Sequence, residues 1–218
     1  MATIAENPVT IDPSIAALGM EMHIQSFDIA IEVRSTPPAL IEMIEEVSDD
    51  RMQDLLGEAA SSDPVIAKIR AAFKTCGKDP SRYRPSSEAL TRRIIAGKPL
   101  YHVNNVVDCG NLISLMTGIP VGCYDATWIK GDLTLRVGKA GETYETIGRG
   151  SLNLEGLPVL ADANGPFGTP FSDSAHTAVT ETTRKVKFIT YGLNISDTLT
   201  SDATHNAHSL LRRFCAID

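Results

Sequence analysis

The run PFGTPFSDSAH, residues 166–176, places three groups capable of proton chemistry within four positions: Asp173, Ser174 and His176. A carboxylate near an imidazole could orient a water or take its proton, which is general-base catalysis. The same residues could instead cap a turn and leave His176 in solvent. A Ser-His-Asp triad is not expected: residues this close in sequence rarely reach triad geometry, and no nucleophile-elbow motif is present. Four cysteines, Cys76, Cys109, Cys123 and Cys215, occur without any Cys-x-x-Cys pair. That spacing signals neither a zinc site nor a dithiol redox motif, so buried inert thiols are expected. Asp202, His205 and His208 share a face of an expected helix, and a solvated face is the preferred reading over metal ligation. No metal and no cofactor are expected.

The elements that must position these groups can be read from apolar spacing. Phe27, Ile29, Ile31 and Val33 alternate with Asp28, Ala30 and Glu32, the pattern of a half-buried strand. Pro37 and Pro38 open a helix striped by Leu40, Ile41, Ile44 and Val47. Asp63-Pro64 caps the next helix, with Val65, Ile66, Ile69, Ala72 and Phe73 on its inner face and Gly77 ending it. Ser86 or Ser87 is expected to cap a short helix bearing Leu90, Ile94 and Ile95. Residues 105–117 read as a helix stopped by Gly118 and Pro120. Beyond it, short runs at 133–137, 144–147, 158–162 and 185–191 read as strands joined by turns, and 166–176 as an irregular loop. A last helix begins near Ser196 or Asp197. Helices crowd the first half and strands the second, so the expected class is α+β.

Length and charge bound the rest. A chain of 218 residues fits a single domain, 1–218. Its 43% hydrophobic and 22% charged content excludes a disordered chain, collagen and a coiled coil. No apolar run is long enough to span a bilayer, so no membrane partner is expected. Residues 1–15 have neither a basic region nor an apolar core, so no secretory signal is expected, and reduced thiols in the cytoplasm follow. The net charge of −7 argues against a protein that coats nucleic acid through bulk charge. That charge is unevenly spread, however. Residues 1–63 carry a net −11, residues 64–98 a net +7 and residues 99–218 a net −3. The basic window is either a phosphate-contacting surface or the internal partner of the acidic first third.

Several runs together carry a resemblance. They are RYRPSSEALTRRIIAGKPL from Arg82, NNVVDCGNLISLMTGIPVGCYD ending at Asp125, then LTLRV, VLADANGPFGTPFSDS and TAVTETTRKVKFITYGL. In this order they resemble the B3/B4 domain of the phenylalanyl-tRNA synthetase beta subunit over about residues 20–193, with 194–218 as a C-terminal helical extension. The resemblance implies layered β-sheets flanked by helices. It also implies a pocket that receives the 3′ end of a mischarged tRNA and hydrolyses its aminoacyl ester. The length leaves no room for an aminoacylation core, so a free-standing domain rather than a ligase is expected.

On that resemblance Asn111 matches the pocket asparagine of the Val-Asp-x-x-Asn helix, and Asp108 is a packing or capping residue. Gly122 stands where synthetases often carry a histidine. Ala175 stands in the place of a glutamate that recognises a tyrosine hydroxyl, so specificity for tyrosine is not carried over. Thr177 and Thr180 fall at the implied pocket rim. Gly118, Gly122, Gly165 and Gly168 are candidates for close backbone approach to a ligand, or simply for turn geometry. Tyr124 would stack on adenine or lie in the core. Arg82, Arg84, Arg92 and Arg93 would meet tRNA phosphates. The expected partner is a tRNA 3′ end or an aminoacyl-tRNA. A module that binds an amino acid, nucleotide or RNA end without turnover remains the alternative.

Overall fold

The computed structural model describes residues 8–148 and 150–217. Residues 1–7, part of the stretch read for a targeting signal, lie outside the described residues. In chain order the elements are β1 (Val9–Ile11), α1 (Pro13–Ala16), β2 (Met22–Ala30), α2 (Pro38–Asp54), α3 (Pro64–Thr75), α4 (Ser86–Ile95) and α5 (Asn105–Thr117). There follow β3 (Val121–Asp125), β4 (Leu133–Val137), β5 (Thr143–Thr146), β6 (Gly150–Asn153), β7 (Pro158–Asp162), β8 (Gly165–Gly168), β9 (Lys185–Leu193) and α6 (Asp197–Cys215). The class is α+β, as expected. No helix among the described residues is long and apolar enough to cross a membrane.

Two sheets carry the fold, with a hairpin, β5–β6, attached. One has the order β1-β4-β7-β8 and the other β2-β9-β3. In the second, β9 pairs antiparallel with both neighbours. From Val186 to Leu193 every residue of β9 is buried, Lys187 and Thr190 included, so both faces of this strand are covered. Phe27 and Phe188 face each other in register and their rings stack at 5.3 Å. Helix α6 packs on β2 and β9, while α5 lies between α2, α4, α6 and β3.

Local chemistry explains the helix limits. The Asp63 carboxylate accepts from the Val65 and Ile66 amides and pairs with Arg51 at 2.9 Å. Asn104 caps α5 by accepting from the Val106 and Val107 amides, and Gly118 ends it in the left-handed conformation at φ 72°. The buried Asn105 amide donates to the Glu32 and Phe214 carbonyls and accepts from the Arg34 amide. One side chain thus ties the start of α5 to the segment after β2 and to the end of α6.

The structure departs from the sequence reading at four places. Strand β2 begins at Met22 and stops at Ala30, because its ladder ends where β9 begins at Lys185. Strand β3 lies where the sequence reading places no strand, between the stop at Gly118 and Pro120 and the run at 133–137. The loop at 166–176 includes part of β8 and one helical turn, Ala175–Thr177. Helix α4 starts after Pro85 with neither Ser86 nor Ser87 as a side-chain cap; Ser87 is wholly buried.

Candidate functional site

Asp173 is held by a rigid turn. The Thr169 hydroxyl accepts from the Phe171 and Ser172 amides and donates to the Ser172 carbonyl. Tyr144 donates its hydroxyl to the same carbonyl at 2.5 Å. Beneath Asp173 stand two wholly buried tyrosines from neighbouring strands, Tyr124 of β3 and Tyr191 of β9. The Tyr124 hydroxyl donates to Asp173 Oδ1 at 2.6 Å and lies 2.6 Å from the Tyr191 hydroxyl. Burial pushes the Asp173 carboxyl up to about 7, against the pull of the Tyr124 hydroxyl and the Thr169 amide. Burial and the nearby Asp173 charge push the Tyr124, Tyr191 and Cys123 groups upward as well.

Two glycines make room for this chain of hydroxyls. A Cβ at Gly122 would lie 2.3 Å from the Tyr124 hydroxyl, and one at Gly168 would lie 2.2 Å from it. Both positions serve the protein's own tyrosine rather than a ligand. Gly122→Ala should therefore displace the Tyr124 ring and cost about 1–3 kcal/mol of stability, read as a lower urea midpoint.

Asp173 opens onto a cavity of about 590 Å³. Helix α5 contributes Asn111 to its wall, β3 contributes Cys123, and α4 with the residues before it contributes Arg93 and Arg84. The Asn111 amide has no hydrogen-bond partner among the described residues, so it is free to meet a ligand. Much of the remaining lining is apolar, including Leu90, Val107 and Val179. At the rim the exposed Tyr101 ring carries the Arg93 guanidinium 3.7 Å from its centroid, and Arg93 also donates to the Pro99 carbonyl.

The basic window pairs within itself. Arg70 holds Glu88 through contacts of 2.8 and 2.7 Å, and Arg84 lies 3.5 Å from the same buried carboxylate. Among the described residues no ion pair joins residues 64–98 to the acidic first third, whose Arg51–Asp63 pair is internal to it.

The sequence-selected residues divide into two groups. Asn111 and Asp173 meet at one cavity. Ser174 and His176 do not reach it. Extended backbone sends successive side chains to opposite sides, so Ser174 points away from Asp173. The Ser174 hydroxyl accepts from the His176 amide, and His176 lies 4.9 Å from the Trp128 ring beside a second cavity of about 330 Å³. Thr177 lines that second cavity too, and Ala175 is exposed in the intervening turn. Tyr124 is too deeply buried to stack on a base, which corrects that option. Thr180 is exposed and bonds Thr182. Arg82 and Arg92 are exposed away from the cavity wall, with Arg82 over Tyr83 at 5.6 Å.

Asp108 is a packing residue. It accepts from the Thr36 hydroxyl and the Val103 amide and faces His102. Gly118 and Gly165 serve backbone geometry at positive φ. No group of three metal-ligating side chains occurs among the described residues. The sequence reading missed Tyr191, Tyr101 and Cys123 as parts of the site. Tyr191 sits in a strand that reads as core; the ladder sets Tyr124 opposite Lys187, and the Tyr124 ring reaches the Tyr191 hydroxyl by lying along β3 over Gly122.

The described residues form an α+β domain with a mostly apolar cavity that has Asp173, Arg84 and Arg93 at its wall. The B3/4 domain family matches residues 68–215, and the chain belongs to that family. The match takes in α6, which the sequence resemblance left outside. Curated relatives are phenylalanine–tRNA ligase beta subunits. That of Brucella abortus (strain 2308) is 35% identical over 83 residues, covering 38% of this chain and 10% of the relative. That of Corynebacterium glutamicum is 33% identical over 94 residues, covering 42% and 11%. The matched stretch thus spans about a tenth of the relatives' length. Among solved structures, an N-terminal fragment of the phenylalanyl-tRNA synthetase beta subunit from Pyrococcus horikoshii aligns with a TM-score of 0.45 and 19% identity, covering 50% of this chain and 39% of that one.

Proposed function

We propose that this synthetase-related module hydrolyses, in trans, the ester of a mischarged aminoacyl-tRNA in the cytoplasm. The observation that carries the reading is the meeting of Asp173 and Asn111 at one cavity large enough for an aminoacyl group and its ribose. An aminoacyl ester is already activated, so a positioned water, a base and one hydrogen-bond donor suffice. Ionised Asp173 takes a proton from water as the water oxygen attacks the ester carbonyl carbon. Asn111 donates to the oxygen on which charge develops. As the carbon–oxygen ester bond breaks, Asp173 returns the proton to the leaving ribose oxygen. Arg84 and Arg93 contact the phosphates next to the terminal nucleotide.

The test is a panel of mischarged tRNAs incubated with the protein, with ester loss followed against buffer. Acceleration on at least one substrate is expected, and none on any would overturn the reading. One observation favours the non-catalytic alternative: Ser174 and His176 turn away from the cavity. Tight binding of the tRNA end with no ester loss would establish it.

The arginines give a separate expectation. Arg84→Ala and Arg93→Ala should each weaken tRNA binding and flatten the plot of log affinity against log salt by about one unit of slope. Filter binding across a salt series measures this.

A further inference from the structure

The hydroxyl of Tyr191 lies outside the cavity, yet it ends a hydrogen-bonded chain that reaches the cavity wall. We propose that Tyr191 is a positioning residue of the site: acting through Tyr124, it fixes the Asp173 carboxyl and lets it gain and lose a proton while the Tyr124 hydroxyl stays paired. The proposal deepens the hydrolase reading and rests on it for the role of Asp173.

The geometry supports a reversible chain. When Asp173 is ionised, Tyr124 donates to it at 2.6 Å, and Tyr191 must then donate to the Tyr124 oxygen, also at 2.6 Å. When Asp173 is protonated it can donate to the Tyr124 oxygen, and Tyr124 can turn its proton to Tyr191. Either state leaves the Tyr124 hydroxyl paired, which matters because an unpaired buried hydroxyl is costly. The slot for this arrangement is built from missing side chains. A Cβ at Gly168 would stand 2.2 Å from the Tyr124 hydroxyl and 2.9 Å from that of Tyr191. A core that only needed filling would not leave two hydroxyls aligned end to end behind a carboxyl.

The groups that bear on Asp173 come from several elements. They are Cys123 and Tyr124 of β3, Tyr191 of β9 and Tyr144 of β5, while Arg84 and Arg93 stand across the cavity. Of these, Tyr191 is the group that touches Tyr124 and not Asp173, so its removal tests the relay itself.

The experiment is a carbon-13 carboxyl NMR titration of Asp173 in the full chain, without substrate, beside the pH dependence of ester hydrolysis. In Tyr191→Phe the Asp173 midpoint should move upward by about one pH unit, because ionised Asp173 loses the polarised second donor. The rising limb of the hydrolysis profile should move by the same amount, with its high-pH plateau kept within a few-fold. Gly168→Ala, which keeps both hydroxyls but pushes into them, should shift the midpoint in the same direction. An unmoved midpoint in Tyr191→Phe, with stability alone lowered, overturns the proposal. If Tyr191→Phe does not fold, Gly168→Ala decides on the same criterion. A shifted midpoint with no hydrolysis on any ester would sink the hydrolase reading and leave the relay standing. Hydrolysis with an unmoved midpoint would sink the relay alone.

Discussion

Asp173→Asn should lower the rate of ester hydrolysis by about 10²–10⁴-fold, the usual contribution of a positioned general base. The asparagine is close in shape, and its side-chain oxygen can still accept from Tyr124. Substrate binding should therefore change little, and the loss should fall on kcat rather than KM. The base works only when ionised, so wild-type activity should rise with pH through about 7 and fall away below it. The variant should lack that limb. A single-turnover pH profile of both proteins reads the two effects together. A variant that keeps wild-type kcat and the same limb would remove Asp173 from the reaction.

The same carboxyl has a consequence for stability. Its folded pKa lies above its ordinary value of 3.8, so between about pH 4 and 7 the folded chain binds more protons than the unfolded chain. Its contribution is therefore fully present below pH 4 and is lost as pH rises through about 7. Up to about 4 kcal/mol is involved. Asp173→Asn has no carboxylate to desolvate, so it should gain stability relative to wild type between pH 5 and 8. A functional group kept at an energetic cost to the fold fits a residue retained for chemistry.

What the sequence made legible follows the range of the interactions. The ends of α5 could be read because cap and stop are local: Asn104 lies within three residues of the amides it accepts from, and Gly118 supplies its own φ. Strand β3 could not be read in this way. Gly122 and Cys123 interrupt its apolar pattern, and its partner, β9, is some sixty residues away. The site shows the same limit. Asp173 was recognisable as a carboxylate in a loop, but neighbours along the chain were the wrong companions. Backbone alternation sends Ser174 to the other side, while sheet register and packing bring Asn111, Tyr124 and Tyr191 to Asp173. The resemblance offers Asn111 and Tyr124 as pocket residues and pairs neither with Asp173.

Arg70→Met should destabilise the fold by about 3–5 kcal/mol, more than any surface charge change in this chain. Glu88 is 1% exposed, and Arg70 supplies its two short contacts. Removing Arg70 strands a carboxylate that Arg84 approaches only at 3.5 Å. Loss of one exposed ion pair would cost less than about 1 kcal/mol, so chemical denaturation separates the two cases easily. The double variant Arg70→Met/Glu88→Gln should recover most of the loss, because the cost arises from the unpaired charge and not from the missing contact. The single variant should also weaken tRNA binding. With Arg70 gone, Glu88 draws Arg84 inward from the cavity wall, where the proposed phosphate contact needs it. A net charge of −7 hid this arrangement, since the chain averages an acidic front against a basic segment to which, among the described residues, no ion pair joins it. The buried Glu88 satisfies one arginine and restrains a second, which leaves Arg93 with Tyr101 as the cation best placed for an incoming anion.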